Sequence, residues 1–246
     1  MLSKSQIKLI KSLSQKKFRN KHGLFVVEGI KGVNEFLNSD FELVSLFSTK
    51  DDSQLKAESY QTVTENELKK ISFLTSAQKF LGVFKIPKSE RFEISGLTLA
   101  LDGIRDPGNL GTIIRLCDWF GIKSLICSKD TVDCFNPKVV QASMGSMTRV
   151  VISYIDLENY LNENQNVPVF GTLLEGENIY SEKLPEQAII VMGNEANGIS
   201  EEIQKLITRK ITIPQFGEIQ KTESLNVATA TSIVLSEFKR STFIEK

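Results

Sequence analysis

The stretch ITIPQFGEIQKTESLNVATATSIVLSEFKR, Ile211 to Arg240, sets the architecture. A short apolar strand with Ile211 and Ile213 runs into a glycine-bearing loop, and a helix follows. Val227, Ala230, Thr231, Val234, Leu235 and Phe238 recur at the i, i+3, i+4, i+7 spacing of one buried helix face. Ser224 or Asn226 is placed to cap the first free N–H groups of that helix. The small side chains from Ala228 to Ser232 let a backbone or a ligand approach closely.

The same strand–loop–helix rhythm repeats upstream. Leu97 to Leu101, Lys123 to Cys127, Val150 to Ile152, Val167 to Gly171 and Ala188 to Met192 read as strands. Between them lie helices at Asn109 to Phe120, Pro137 to Ala142 and Leu157 to Leu161, and one from the cap Ser200 to Ile207. Near-continuous apolar strands alternating with helices predict a mostly parallel sheet covered on both faces, with ligands beyond the carboxyl ends of its strands. Further upstream, Ser3 to Lys17 fits one amphipathic helix. Strands at Gly23 to Val27, Leu43 to Phe47, Thr62-Val63 and Phe80 to Phe84 alternate with helices at Gly29 to Leu37, Asp51 to Ser59 and Glu65 to Lys70, the last capped by Thr64. That is a smaller α/β domain. The polar, proline-bearing Ile86 to Arg91 is the best linker, so the expected domains are residues 1–90 and 91–246.

Composition narrows the chemistry. No apolar run approaches a membrane span and no signal peptide is recognisable, so a cytoplasmic protein is expected. Cys117, Cys127 and Cys134 are odd in number and lack C-x-x-C spacing, as in reduced, mostly buried thiols. His22 is the only histidine, which argues against a metal site and a Ser-His-Asp triad. The net charge is zero, yet Lys4, Lys8, Lys11, Lys16, Lys17, Arg19 and Lys21 precede the first acid, Glu28. Such a basic segment is a candidate phosphate contact, with a solvated helix face as the plainer alternative.

Three glycine-marked loops follow strands of the larger sheet. In Asn109-Leu-Gly-Thr-Ile-Ile-Arg115, Gly108, Gly111 and Arg115 share one helix face, placing a planar guanidinium above two positions without side chains. In Val191-Met-Gly-Asn-Glu-Ala-Asn-Gly198, two glycines bracket Asn194, Glu195 and Asn197, where close backbone approach is possible. The third loop is the one quoted first. Each is weak alone, and none is a G-x-G-x-x-G fingerprint. Together they make one composite pocket, rich in amides and without a phosphate cradle, better suited to an adenosine-type ligand than to a triphosphate.

N-L-G-T-I-I-R, M-G-N-E-A-N-G-I and I-P-Q-F-G…E-S-L-N-V-A-T-A resemble, in order, the three motifs of the SpoU (TrmH) family, S-adenosylmethionine-dependent RNA ribose 2′-O-methyltransferases of the SPOUT superfamily. The N-terminal part resembles the L30e-like RNA-binding domain of ribosomal-RNA members. The resemblance implies a C-terminal trefoil knot, an exception to unknotted topology, and a homodimer with its site near the subunit interface. It implies that Gly193, Ile213 and Leu225 contact the cofactor through backbone, with Thr172 and Leu173 at the pocket edge and Asn226 also lining it. Glu195, Ser224 and Asn226 would lie near the reacting centre. Arg115 matches the family's catalytic arginine and Asn109 the asparagine that helps set it. The loop from Pro214 to Glu223 is longer than the family's usual one, and Ala228 stands where serine is common.

Methyl transfer to a ribose hydroxyl needs oxygen, methyl carbon and sulfur in line, so positioning supplies much of the acceleration. A guanidinium is a poor base. Arg115 is therefore expected to grip the phosphate beside the target ribose and to stabilise developing alkoxide charge, with Glu195 or water taking the proton. Lys16, Lys17, Arg19 and Lys21 would add phosphate contacts that weaken with salt. The appended domain favours ribosomal over transfer RNA. A silent RNA-binding protein of this fold is the rival reading, and a nicotinamide-dependent enzyme lacks its glycine fingerprint.

Overall fold

The computed structural model describes residues 1–49, 60–87, 96–217 and 224–244, with side chains as far as residue 240. The chain divides into two compact units, Met1–Glu90 with Asp133–Thr148, and Arg91–Val132 with Arg149–Lys246. The expected second domain ran unbroken from residue 91, whereas Asp133–Thr148 packs with the first unit. The junction near residue 90 and the helix expected at Asp51 to Ser59 lie outside the described residues.

In the first unit, helices α1 (Lys4–Ser12) and α2 (Lys16–His22) precede strand β1 (Leu24–Glu28), α3 (Ile30–Leu37), β2 (Leu43–Ser48), β3 (Gln61–Thr62), α4 (Glu65–Ile71) and β4 (Phe80–Lys85). The strands form one sheet in the order β1-β4-β2-β3; only the β2–β3 pair is parallel. Ser3 and Gln6 close a capping box on α1, and Thr64 and Glu67 do the same on α4. One helix was expected over Ser3 to Lys17, and two are found. The break has a local cause: the carbonyls of Leu13 and Ser14 accept from Nη1 of Arg19, at 2.8 and 2.9 Å, instead of continuing the helix. Leu13, Ile10, Leu68, Ile71, Phe47 and Leu81 share the core beneath.

The second unit opens with β5 (Leu97–Leu101), α5 (Pro107–Trp119) and β6 (Ser124–Ser128). The chain then gives the first unit α6 (Pro137–Ser143) and returns with β7 (Val151–Ile155), α7 (Leu157–Glu163), β8 (Val169–Asn178), β9 (Ala188–Met192), α8 (Glu201–Gln204), β10 (Arg209–Thr212) and α9 (Val227–Ile244). All six strands are parallel, in the order β10-β8-β9-β5-β6-β7. β5, β6 and β9 are buried throughout, as central strands of such a sheet must be. Ala100, Ile126, Val169, Ile189 and Val191 face α7 and α8, and Phe170 packs edge-on against Phe238 of α9 on the opposite face. β5 and β9 lie side by side although three strands separate them in sequence, which makes their carboxyl ends a topological switch point.

Two elements differ from expectation in length. β8 runs on to Asn178, and its pairing with β10 jumps: Lys210 faces Gly171 while the next residue, Ile211, faces Glu177. Residues between those positions leave the ladder. At Gly176 an added Cβ would lie 2.8 Å from the Ile211 carbonyl carbon, so the excursion needs glycine there. α8 stops at Gln204, short of Ile207, and the chain tightens there into i→i−3 bonds, the N–H groups of Leu206 and Ile207 donating to the Ile203 and Gln204 carbonyls. All three cysteines are buried and outside any disulfide, and burial, then the charge of Asp118, pushes the Cys117 thiol up. Among the described residues, no helix is long and apolar enough to cross a membrane.

Candidate functional site

The loops after β5, β9 and β10 converge through side-chain amides. Asp106 caps α5 by accepting from the backbone N–H of Asn109 at 2.8 Å, which fixes Asn109 in the first turn. From there Asn109 works in two directions. Its Nδ2 donates to Oε1 of Glu195, after β9, at 2.8 Å. Its Oδ1 accepts from Nδ2 of Asn226, ahead of α9, at 2.9 Å. Asn226 in turn caps α9: its Oδ1 accepts from the N–H groups of Ala228 and Thr229 at 3.0 and 3.3 Å. Of the two caps open in the sequence, Asn226 is the one used. Ser224 stands exposed ahead of the helix. One amide thus joins three loops that are far apart in sequence, and its orientation is dictated by its partners: the carboxylate needs the NH2 end and the donating amide of Asn226 needs the oxygen.

A second layer of bonds holds the loops beneath. The Asn194 side chain donates to the Gly103 carbonyl at 2.6 Å, and its Oδ1 accepts from the Ala196 and Asn197 N–H groups. Asp102, at the end of β5, accepts from the N–H and hydroxyl of Ser200 at 2.7 and 2.8 Å. Thus the β5 and β9 loops are tied at both ends of the 194–200 segment. Gly193 was expected to make room for a ligand. In this chain an added Cβ there would lie 2.3 Å from the Gly198 carbonyl carbon and from the Ile199 nitrogen, so the glycine is required by the loop's own closure. Neither Asp102 nor Asn194 had been assigned a role from sequence; the available signal was a polar residue directly after an apolar strand.

The other expected site residues fall as follows. Thr172 is half-buried, its hydroxyl donating to the Val191 carbonyl at 3.1 Å, which places it beside the strand that leads into Gly193. Leu173 and Ile213 are half-buried and Leu225 is exposed. Residues 218–223 of the lengthened loop lie outside the described residues. Arg115 is exposed and is not part of the amide network. It stands six residues beyond Asn109, hence about 9 Å along the α5 axis and about 120° round it. In the first unit, Lys16, Lys17 and Lys21 are exposed on α2, and the Lys17 ammonium lies 4.8 Å from the Phe18 ring centre.

Arg19 is a correction. It was expected to contact RNA phosphate, but only 2% of it is exposed. Its Nε donates to Oδ2 of Asp133 at 2.9 Å, its Nη2 reaches the same oxygen, and its Nη1 is taken by the Leu13 and Ser14 carbonyls. The arginine suits this place because its planar fork presents separate N–H groups to Asp133 on one side and to the Leu13 and Ser14 carbonyls on the other, a spread that the compact ammonium of lysine does not have.

The site's donor set fits a cationic adenosine-type cofactor. It comprises a carboxylate and two side-chain amides at the carboxyl ends of parallel strands, with no cation among their hydrogen-bond partners in the described residues. That composition would repel a phosphate and attract a sulfonium. Known proteins agree. Residues 96–236 match the model of the SpoU rRNA Methylase family, and residues 4–82 match the MRM3-like substrate binding domain. The chain is 28% identical over 239 residues to the 23S rRNA (guanosine(2553)-2′-O)-methyltransferase RlmP of Bacillus subtilis, covering 94% of each chain. It superposes with a TM-score of 0.88 on a TrmH-family chain from Porphyromonas gingivalis, at 40% identity over 98% of this chain and 99% of that one. An AdoMet-bound rRNA methyltransferase from Sinorhizobium meliloti gives a TM-score of 0.85 at 30% identity, over 98% and 96%. With its family model spanning more than half of its length, and the three motif loops joined through Asn109, the chain belongs to the SpoU rRNA Methylase family.

Proposed function

We propose that this protein transfers a methyl group from S-adenosylmethionine to a ribose 2′-hydroxyl of ribosomal RNA, as a cytoplasmic homodimer. The observation that carries the reading is the Glu195–Asn109–Asn226 chain of hydrogen bonds, which draws all three motif loops to the switch point of the sheet. Gly193, Ile213, Leu225 and Asn226 would hold the cofactor, with Thr172 and Leu173 at its edge; when bound it supplies an electrophilic methyl group. Asn109 orients Glu195, leaving the second carboxylate oxygen available to accept the hydroxyl proton directly or through water. Ser224 is placed beside Asn226 to bond the acceptor ribose. Arg115, solvated on α5, would grip the phosphate next to that ribose and stabilise alkoxide charge, and a dimer would let it serve its partner's site. The trefoil knot belongs to this proposal and rests on membership of the SpoU rRNA Methylase family.

Residues 1–90 with 133–148 would act as the RNA substrate-binding domain, and 91–132 with 149–246 as the methyltransferase domain. Lys16, Lys17 and Lys21 are the candidate phosphate contacts of the former, and RNA is told from DNA by the acceptor itself. Ribosomal RNA is favoured over transfer RNA by the match to the SpoU rRNA Methylase family and the likeness to the Bacillus subtilis 23S rRNA methyltransferase. The test is methyl incorporation from labelled S-adenosylmethionine into ribosomal and transfer RNA of cells lacking the protein, with mass-spectrometric mapping of the 2′-O-methyl site. Titration calorimetry should give heat with S-adenosylmethionine and none with NAD. Arg115→Lys should lose most turnover, because an ammonium cannot reproduce the bidentate fork; near-normal turnover would reject the role given to Arg115.

A further inference from the structure

The three loops of the site carry several acids but a single base. Among their described residues, 102–106, 193–200, 213–217 and 224–226, the acids are Asp102, Asp106 and Glu195, and Arg105 is the only cation. Both acids of its own loop are engaged elsewhere. Asp102 accepts from Ser200 at 2.7 and 2.8 Å, and Asp106 accepts from the Asn109 N–H at 2.8 Å. Arg105 itself is exposed, and its side chain makes no hydrogen bond or ion pair among the described residues. The backbone beside it is held. The Gly103 N–H donates to the Ser128 hydroxyl at 2.9 Å, and the Gly103 carbonyl accepts from the Asn194 amide at 2.6 Å. Ile104 is wholly buried, and its carbonyl accepts from the Val132 N–H at 2.8 Å. A loop fixed in this way presents its one unengaged charge from a set position.

We infer that Arg105 holds a phosphate of the acceptor RNA at the site of its own subunit. The inference rests on the methyltransferase reading above. Each ribose within an RNA strand is flanked by phosphates, and one brought to Glu195 carries that negative charge toward a carboxylate, which repels it. A cation at the rim must offset the repulsion. Arg115 stands about 9 Å beyond Asn109 along α5, where a dimer would let it serve the partner's site. Arg105 is two residues, at most about 7 Å, from Gly103, which is bonded to Asn194 next to Glu195. A guanidinium meets a phosphate with its planar fork, and a loop already fixed loses little freedom on binding. Arg105 thus binds the substrate's backbone and positions the ribose; it reads no base.

The experiment uses the full chain, labelled S-adenosylmethionine, and ribosomal RNA from cells lacking the protein. Arg105→Gln removes the charge, and Arg105→Lys keeps it. Arg105→Gln should flatten the slope of log affinity against log salt by about 0.7–0.9, one phosphate contact, and raise KM for RNA about 5- to 8-fold at roughly 0.1 M salt. Arg105→Lys should keep the slope, with KM within about threefold of the wild type. In both variants kcat at saturating RNA, and affinity for S-adenosylmethionine from calorimetry, should stay within about twofold. The three native cysteines are buried, so Arg105→Cys carries the one accessible thiol. A photo-crosslinker on that thiol should attach to the nucleotide that mass spectrometry finds methylated, or to its immediate neighbours. An unchanged slope in Arg105→Gln would overturn the inference, as would crosslinks confined to RNA away from the methylated nucleotide. Equal losses in Arg105→Lys and Arg105→Gln, or a matching loss of cofactor affinity, would overturn it too, by tracing the effect to the loop. A wild type that methylates no RNA removes the methyltransferase reading and the role of Arg105 together. Normal methylation by a wild type and by an indistinguishable Arg105→Gln removes that role alone.

Discussion

Replacing Asp133 by alanine should be among the most destabilising single changes in the first unit. The Arg19 guanidinium is almost wholly buried and makes four hydrogen bonds, two of them to one oxygen of Asp133. Asp133→Ala leaves the bonds to Leu13 and Ser14 but strands a positive charge away from water, at a cost of about 3–5 kcal/mol. With a urea slope of about 2 kcal/mol/M, the midpoint of the first unit's transition should fall by roughly 1.5–2.5 M. Far-UV circular dichroism against urea measures this. The double variant Arg19→Met with Asp133→Leu removes both charges and should recover most of the loss, because the penalty comes from the unpaired ion rather than from the missing bonds. RNA affinity gives the independent control: Arg19→Met should leave the salt dependence of binding unchanged, while Lys17→Ala lowers its slope by about one phosphate contact. A midpoint for Asp133→Ala within about 0.5 M of the wild type, or a double variant no better than the single, would refute the reasoning.

Asn109→Leu cuts the link between Glu195 and Asn226 at both ends and should reduce methyl transfer at least tenfold, and Asn109→Asp should do no better, since it sets a carboxylate against Glu195; single-turnover assays separate this from RNA binding. Gly193→Ala forces a methyl group to within 2.3 Å of the Gly198 and Ile199 backbone, so the loop cannot close, and calorimetry should show cofactor binding lost or weakened more than tenfold. Glu67 accepts first from the Thr64 N–H and then from that of Leu2, which lowers its pKa from 4.5 to about 2. Its folded-state value lies below the unfolded one, so its contribution is full above pH 4.5 and disappears as pH falls toward 2. Urea midpoints followed through that window should rise less steeply with pH in Glu67→Gln than in the wild type.

Much of the larger sheet was legible because its signals are local. Five-residue apolar runs such as Leu97 to Leu101 and Ala188 to Met192 are too short for most helices and read as buried strands, and Asn136 and Asn226 mark helix starts by their own chemistry. The three motif loops were legible as well, each from a glycine or an amide at a strand end. What escaped depends on partners distant in sequence. Arg19 reads as one more cation of a basic helix until Asp133, far along the chain, is found against it. The Oδ1 of Asn109 takes its meaning from Asn226, and nothing near Gly176 announces that β10 will leave it no room for a side chain. Ser200 does stand at the N-cap of α8, but its hydroxyl is turned to donate to Asp102 and accepts from no helix N–H, a pairing with a residue 98 positions away that local sequence does not announce.

The membership of Asp133–Thr148 in the first unit bears on how a ribosome makes this protein. Phe135 of that segment lies 4.8 Å from Phe25 between ring centres, and Gly145 sits so close to Glu35 that a Cβ would meet its side chain at 2.5 Å. A nascent chain released from the tunnel as far as residue 90 therefore lacks part of its own core and the counter-ion for Arg19. It must wait for some sixty further residues, roughly 3–12 seconds of synthesis at 5–20 residues per second. Codon-level slowing between the end of β4 and the end of α6 should accordingly expose the early fragment to aggregation or to chaperones, whereas slowing after Thr148 should not.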